Sequence, residues 1–176
     1  MATHTYLCIT DDKGKKYTGN CKAKDHVGKI EVTSWNTNVM QEAVGASNKE
    51  KTGKPRSNPG VMTFAKFYDL SSDDLMYACW TGAKLTTCVF EIYRSAYPGT
   101  LNNVSPANKW FLKITLKNAY VAAYKIDGSG EEIPAEDIDI CYEGIKFEYK
   151  AIDKKTGAVS DVIIPMEYDW QLNQKI

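Results

Sequence analysis

The chain has very little with which to do chemistry. Its 176 residues include two histidines, His4 and His26. One sits in the terminal stretch and the other in a polar turn, and neither has a serine, cysteine or carboxylate placed as a relay partner. Lysine plus arginine and aspartate plus glutamate are each 22, so no net field draws the protein to nucleic acid or an anionic membrane. No apolar run approaches the length of a bilayer span. The opening MATHTYLCITDDKGKK has no basic region leading into an apolar one, so no Sec-type signal is expected, and synthesis and folding are expected in the cytoplasm. Any export must use a route that does not read an N-terminal signal. Five cysteines (Cys8, Cys21, Cys79, Cys88 and Cys141) form no C-x-x-C pair. They read as small buried hydrophobes in a reducing cytosol rather than a disulfide framework or a zinc site. Gly128-x-Gly130 lacks the strand–helix setting of a phosphate loop. No cofactor and no metal is expected.

What is present is β-structure around one helix. A length of 176 residues with 43% hydrophobic and 25% charged composition fits one soluble domain spanning 1–176, and eleven tyrosines lean towards strands. The helix lies within Val61–Gly82. Ser71 and Asp74 have capping-box spacing, Leu70 and Leu75 could staple across the cap, and Asp73 and Asp74 favour the positive helix end. Gly82 can adopt the left-handed stop. Leu75, Ala78 and Cys79 share a face, flanked by Met76, that a sheet must cover. Ser71, Asp74, Leu75, Cys79 and Gly82 are thus the residues on which the fold leans.

Strands are expected at Tyr6–Thr10, Tyr17–Ala23, Lys29–Trp35, the stretch before the helix, Leu85–Arg94, Trp110 onward, Ile138 onward and Val162–Leu172. The apolar parity slips past Asn118 and again at Gly144, as a β-bulge would produce. Two long bent strands suggest a sheet curled around a core. Pro165 argues that the last strand is an edge.

Two stretches break the pattern. Gly45–Gly60 has no apolar periodicity and carries Lys49, Lys51, Lys54 and Arg56 against one acid, Glu50. A loop of this length is either functional or disordered. Pro98–Asn108 is a second loop. The run Glu131, Glu132, Glu136, Asp137, Asp139 is acidic; it lacks EF-hand spacing, and reads as an exposed charged segment rather than a glycosidase pair or calcium site. Trp35, Trp80, Trp110 and Trp170 could line a ligand groove or fill a core. On the residues alone, two readings stand: a carbohydrate- or ligand-binding β-barrel without catalysis, motivated by the tryptophans and the acidic run, and a small hydrolase using the acidic run.

An ordered set of segments resembles the haemolysin-coregulated proteins (Hcp). It comprises Tyr6-Leu7, Lys29-Ile30-Glu31-Val32, Phe67-Tyr68-Asp69-Leu70-Ser71-Ser72, Ala78-Cys79-Trp80-Thr81-Gly82, Ile92-Tyr93-Arg94, Phe111–Leu116, Ile145–Tyr149 and Tyr168-Asp169-Trp170. The Pro98–Asn108 loop and the cysteine content depart from many relatives. The resemblance implies a β-barrel of two sheets with one short α-helix packed against it. It also implies a type VI secretion inner-tube protein that forms homohexameric rings, stacks with a spike at the tip inside a contractile sheath, carries effectors and is itself secreted. No catalytic residue, nucleic acid or membrane insertion is implied. Gly45–Gly60 corresponds to an extended loop that reaches a neighbouring subunit. This makes Val44, Lys49, Lys51, Lys54, Arg56, Val61 and Met62 the expected interface, with Glu131, Glu132, Glu136, Asp137 and Asp139 as a complementary acidic patch.

Overall fold

Regular alternation becomes strand almost wherever it occurs. In the computed structural model, which describes residues 3–41, 57–94, 109–128, 130, 133–153 and 158–176, the elements are β1 (Thr3–Asp11), β2 (Ile30–Val32), β3 (Ser34–Gln41), β4 (Ser57–Phe67), α1 (Ser72–Thr81), β5 (Lys84–Arg94), β6 (Trp110–Asp127), β7 (Ala135–Ile152), β8 (Val159–Asp169) and β9 (Gln174–Lys175). Every pairing is antiparallel. The order is β2-β1-β5-β6-β7-β4-β3, and β8 continues from β7 with β9 beyond it. The two faces of the barrel are therefore halves of one hydrogen-bonded path. Its ends are β2 and β3, which are consecutive in the chain with only Thr33 between them. The Thr33 N–H and hydroxyl both donate to Ala65 O, at 2.9 and 3.0 Å. One segment thus serves both ends of the sheet and closes the curl.

Inward positions fill a single core: Leu7 and Ile9 of β1, Met62 and Phe64 of β4, Phe90 and Ile92 of β5, Ile114 and Leu116 of β6, and Ile138 and Ile140 of β7 are all buried. Leu75 and Ala78 of α1 enter this core, with Cys79 half-buried against it. The parity slips at Asn118 and Gly144 turn out to be one event. Lys117 pairs Gly144 and Ala119 pairs Tyr142, so the register is the same on both sides. Both strands change phase at the same rung, where Asn118 takes a left-handed φ of 49°. The one-against-two irregularity in this ladder lies further along, between Val121 and Ala123.

Several local expectations need correction. Ser71 has helical angles and makes no capping bond with its side chain. Asp69 begins the turn instead: its carboxylate accepts from Ser71 N–H at 2.9 Å, and Ser72 Oγ accepts from Asp69 N–H at 2.9 Å. Asp69 therefore caps the turn through Ser71 N–H, and Ser72 reaches back to Asp69 N–H, two residues upstream of the expected pair. Asp74, freed from capping, pairs with Lys15 at 2.5 Å. Leu70 is 69% exposed and staples nothing. Gly82 does take the left-handed stop, at φ 63°. Tyr17–Ala23 forms no strand: its backbone N–H groups bond singly to Ile9 O, Gly28 O and Lys29 O, beside an isolated Thr10–Lys16 bridge. Ser57–Gly60, expected as loop, is the start of β4, and Met62 is core rather than interface. Cys21 and Cys88 are buried as expected, Cys8 and Cys79 only partly, and Cys141 is exposed.

Leu75 has no exposed surface, so Leu75→Ala should cost about 2–5 kcal/mol, whereas Leu70→Ala should stay within about 0.5 kcal/mol. Urea titrations followed by circular dichroism check this. An unmoved midpoint for Leu75→Ala would show that α1 is not packed on the sheet.

Candidate interaction surfaces and their anchors

The most demanding group in the barrel is a lysine. Along β4 the inward parity runs Met62, Phe64, Lys66, and the Lys66 side chain has no exposed surface. A buried ammonium is tolerated only when paired and hydrogen-bonded. Its direct cross-strand partner on β7 is Glu136, also fully buried, with Nζ to carboxylate at 2.5 Å. Asp69 approaches Nζ at 2.8 Å, Ser72 Oγ accepts at 2.9 Å and Phe67 O at 3.1 Å. Ser72 Oγ donates onward to Glu136 at 3.1 Å, and the Tyr124 hydroxyl donates to the other Glu136 oxygen. Burial, and then the carboxylate it bonds, pushes the Tyr124 phenol above its ordinary range. The network ties β4, β6 and β7 to the first turn of α1. Its sequence signal was the shared parity of Lys66 with Phe64 and of Glu136 with Ile138.

Parity also divides the acidic run. Glu136 points inward, whereas Asp137 is exposed and Asp139 half-buried, accepting from Thr63 Oγ1 at 2.5 Å. With one member inside and another engaged within its own chain, the described part of the run is not a continuous acidic patch. Glu131 and Glu132 lie outside the described residues, as do Val44, Lys49, Lys51, Lys54 and Arg56.

The described flanks of the 45–60 stretch do show a surface. β3 and β4 continue as a two-stranded ribbon out to Gln41 and Ser57. β7 pairs with β4 only as far as Ile140, and from Gly144 it pairs with β8. The fork is filled by Trp170, which is 7% exposed, lies edge-on to Tyr142 and Tyr168, and donates from Nε1 to Ser57 Oγ at 3.2 Å. Beyond the fork the ribbon exposes Val39 (52%), Met40 (61%) and Val61 (38%). A bulge sets Asn38 against two residues of β4, and a Cβ on Gly60 would lie 2.7 Å from Asn38 O. Only glycine fits that crossing without a shift.

On the outer face of β1 and β5, residues 17–29 fold back as a clasp. His26 is not in an open turn. It is 7% exposed, stacks on Tyr6 at 4.0 Å between centroids and meets Tyr93 edge-on at 4.6 Å. Its buried Nδ1 has no hydrogen-bond partner. Burial, with Lys29 nearby, lowers its pKa from the ordinary 6.5, against the opposing pull of Glu91 and Asp25. Glu91 in turn accepts from Lys29 at 2.6 Å and from the Tyr93 hydroxyl at 3.1 Å.

Among the described residues no three of His, Cys, Asp and Glu converge as a metal-binding group. No described helix is long and apolar enough to cross a membrane.

Two predictions follow from these anchors. Lys66→Met should destabilise by about 3–5 kcal/mol because Glu136 is left buried and unpaired, and adding Glu136→Leu should restore much of the loss. Equal midpoints for the single and double variants would show that the pair is not coupled. For His26, the unfolded chain binds its proton near pH 6.5 and the folded chain only below that. The clasp therefore stabilises fully above about 6.5 and progressively less as pH falls below it. His26→Phe should flatten that part of the stability–pH curve, and a curve of unchanged slope would exclude His26 as its source.

The family model for the type VI secretion system effector Hcp matches residues 6–149, nearly all of the chain from β1 through β7. Protein hcp1 of Pseudomonas aeruginosa PAO1 is 27% identical over 180 aligned residues, covering 100% of this chain and 99% of that protein. Among solved structures, one described as a type six secretion system protein superposes with a TM-score of 0.80 at 23% identity, covering 99% of this chain and 100% of that one. Hcp1 from Salmonella typhimurium gives 0.72 at 22% identity with both chains covered in full. The structural likenesses speak for the fold alone; the match over 6–149 speaks for descent. The chain belongs to the Hcp family of type VI secretion system proteins.

Proposed function

We propose that this Hcp chain folds as one domain and assembles into six-membered rings. The rings stack into the inner tube of the secretion apparatus, meet a spike at the tip and a sheath outside, carry effectors, and are exported by that apparatus. The chain itself does no catalysis and needs no cofactor. The observation that carries the reading is the β3–β4 ribbon. It leaves the barrel at a fork pegged by Trp170 and presents Val39, Met40 and Val61 to solvent. A ribbon with apolar residues exposed on it gains free energy by docking, at about 25 cal/mol per Å² of apolar area covered. Ring formation by a single chain needs such a heterologous contact, in which one patch meets a different patch on the next copy.

Light scattering coupled to gel filtration tests the assembly, with about six chain masses expected at micromolar protein. Excising 46–56 should leave the far-ultraviolet dichroism unchanged and weaken or break the ring. A wild-type chain that stays monomeric across that range, or an excised chain that assembles as the intact one does, would overturn the proposal.

A further inference from the structure

The tip of the 17–29 clasp is held to the sheet by one side chain. Between Cys21 and Ile30 the sole buried residue is His26; its neighbours Lys24, Asp25 and Val27 are exposed. The backbone bonds that fold the clasp lie elsewhere. Gly19 N–H donates to Gly28 O at 2.9 Å, Gly28 N–H to Cys21 O at 3.0 Å and Cys21 N–H to Lys29 O at 3.3 Å, which closes a neck. Within the tip, His26 N–H donates to Ala23 O and Lys29 N–H to His26 O, both at 3.0 Å. Among the described residues no backbone bond joins positions 22–28 to β1 or β5. The neck needs glycine: Gly28 takes a left-handed φ of 78°, and a Cβ on Gly19 would lie 2.5 Å from Lys29 O. Asp25, next to His26, is left-handed at φ 70° without being glycine, a strain that movement of the tip can relax.

The slot suits a neutral imidazole and not an imidazolium. The His26 ring lies within 12° of parallel to Tyr6, with Tyr93 edge-on, and its Nδ1 is buried without a partner. Protonated, that nitrogen becomes a charged donor with nothing to receive its hydrogen. The titratable and charged groups around it are Tyr6 and Cys8 of β1, Glu31 of β2, Glu91 and Tyr93 of β5 and Lys113 of β6, with Cys21, Asp25 and Lys29 of the clasp. Lys29 repels a cation there. Glu91 and Asp25 attract one, but Glu91 already accepts from Lys29 and from the Tyr93 hydroxyl.

We propose that the tip is an acid-released latch: on protonation His26 leaves its slot against Tyr6 and Tyr93, residues 22–28 swing out on the Gly19–Gly28 neck, and the barrel stays folded. The release is local because Tyr6, Tyr93 and Cys21 form a small cluster separate from the main core. Above pH 6.5, the ordinary value for histidine, the ring is neutral and the latch shut. Below it the open population grows about ten-fold per pH unit until the folded-state value is passed, where it levels off. Opening replaces a polar loop on this face by two uncovered tyrosine rings and a mobile positive charge.

The chain's two histidines make the latch directly observable. Isotope-labelled histidine gives His26 as the probe and the exposed His4 as the reference. The Tyr6 ring displaces the His26 ring-proton resonances upfield while the latch is shut. That displacement should vanish as pH is lowered from about 7.5 to about 5. Over the same range Cys21, buried when shut, should gain at least about ten-fold in reactivity toward dithiodipyridine relative to the exposed Cys141, read peptide by peptide by mass spectrometry. Cys88, buried in the main core, should stay unreactive throughout. His26→Phe keeps an aromatic ring and removes the proton, so Cys21 should stay protected in it at every pH. Protection of Cys21 that does not change with pH would overturn the latch, as would Cys88 becoming reactive in step with Cys21, which is global unfolding. A folded His26→Phe chain that releases Cys21 like the parent would overturn it equally. The parent chain's resonances and thiols decide the matter without the variant.

Discussion

A positive charge placed inside a hydrophobic barrel decides how this chain must fold. Lys66 cannot leave its inward position without a register slip of β4, which would turn Met62 and Phe64 out with it. Once inside, the ammonium needs a carboxylate, and the rung opposite supplies Glu136. Both also need their remaining hydrogen-bonding capacity satisfied. The turn that begins at Asp69 and the first residue of α1, Ser72, meet that requirement. The pairing of β4 with β7, the entry of α1 and the direction of Leu75 into the core are thus consequences of one charge. An apolar residue at position 66 would fill the space without specifying any of these partners. A mispaired register would leave the lysine buried without its acids, so the network discriminates between registers more than it adds net stability.

Most of the architecture was legible in the chain. Alternation located most of the long strands, because a half-buried sheet forces period two on its sequence; it missed β3, since the expected Lys29–Trp35 strand is β2 plus only the start of Ser34–Gln41. The helix was found through its acidic first turn and Gly82. The errors have a common origin. Polar side chains announce that a backbone donor will be satisfied, but not which neighbour will do it. Ser71 looked like the cap, yet Asp69 has a better acceptor and sits where the chain actually turns. The acidic run looked like a patch because charge was read without parity; Glu136 shares a face with Ile138 and Ile140, and that alone places it inside. His26 read as part of a polar turn because its neighbours are polar, but the rings that bury it, Tyr6 and Tyr93, come from β1 and β5.

The interaction surfaces were less legible still. The sequence marked the 45–60 stretch by its loss of periodicity, while the described apolar residues of the ribbon lie on its flanks, at Val39, Met40 and Val61. Trp170 could equally have been ordinary filling. Its role emerges because β7 exchanges β4 for β8 at that point, leaving a wedge-shaped gap that a large ring with one donor can occupy.

The closure at Thr33 bears on the route to the native state. The segment on either side of it pairs with β1 at one end of the sheet and β4 at the other, so it cannot satisfy both until those strands have been brought together through β5, β6 and β7. The β1–β5 and β4–β7 ladders join residues far apart in the chain, and such non-local pairings form slowly because loop entropy is lost before the contacts repay it. The seam at Thr33 is a kinetic gate: until it shuts, the edges of β1 and β4 remain open to pairing with other chains.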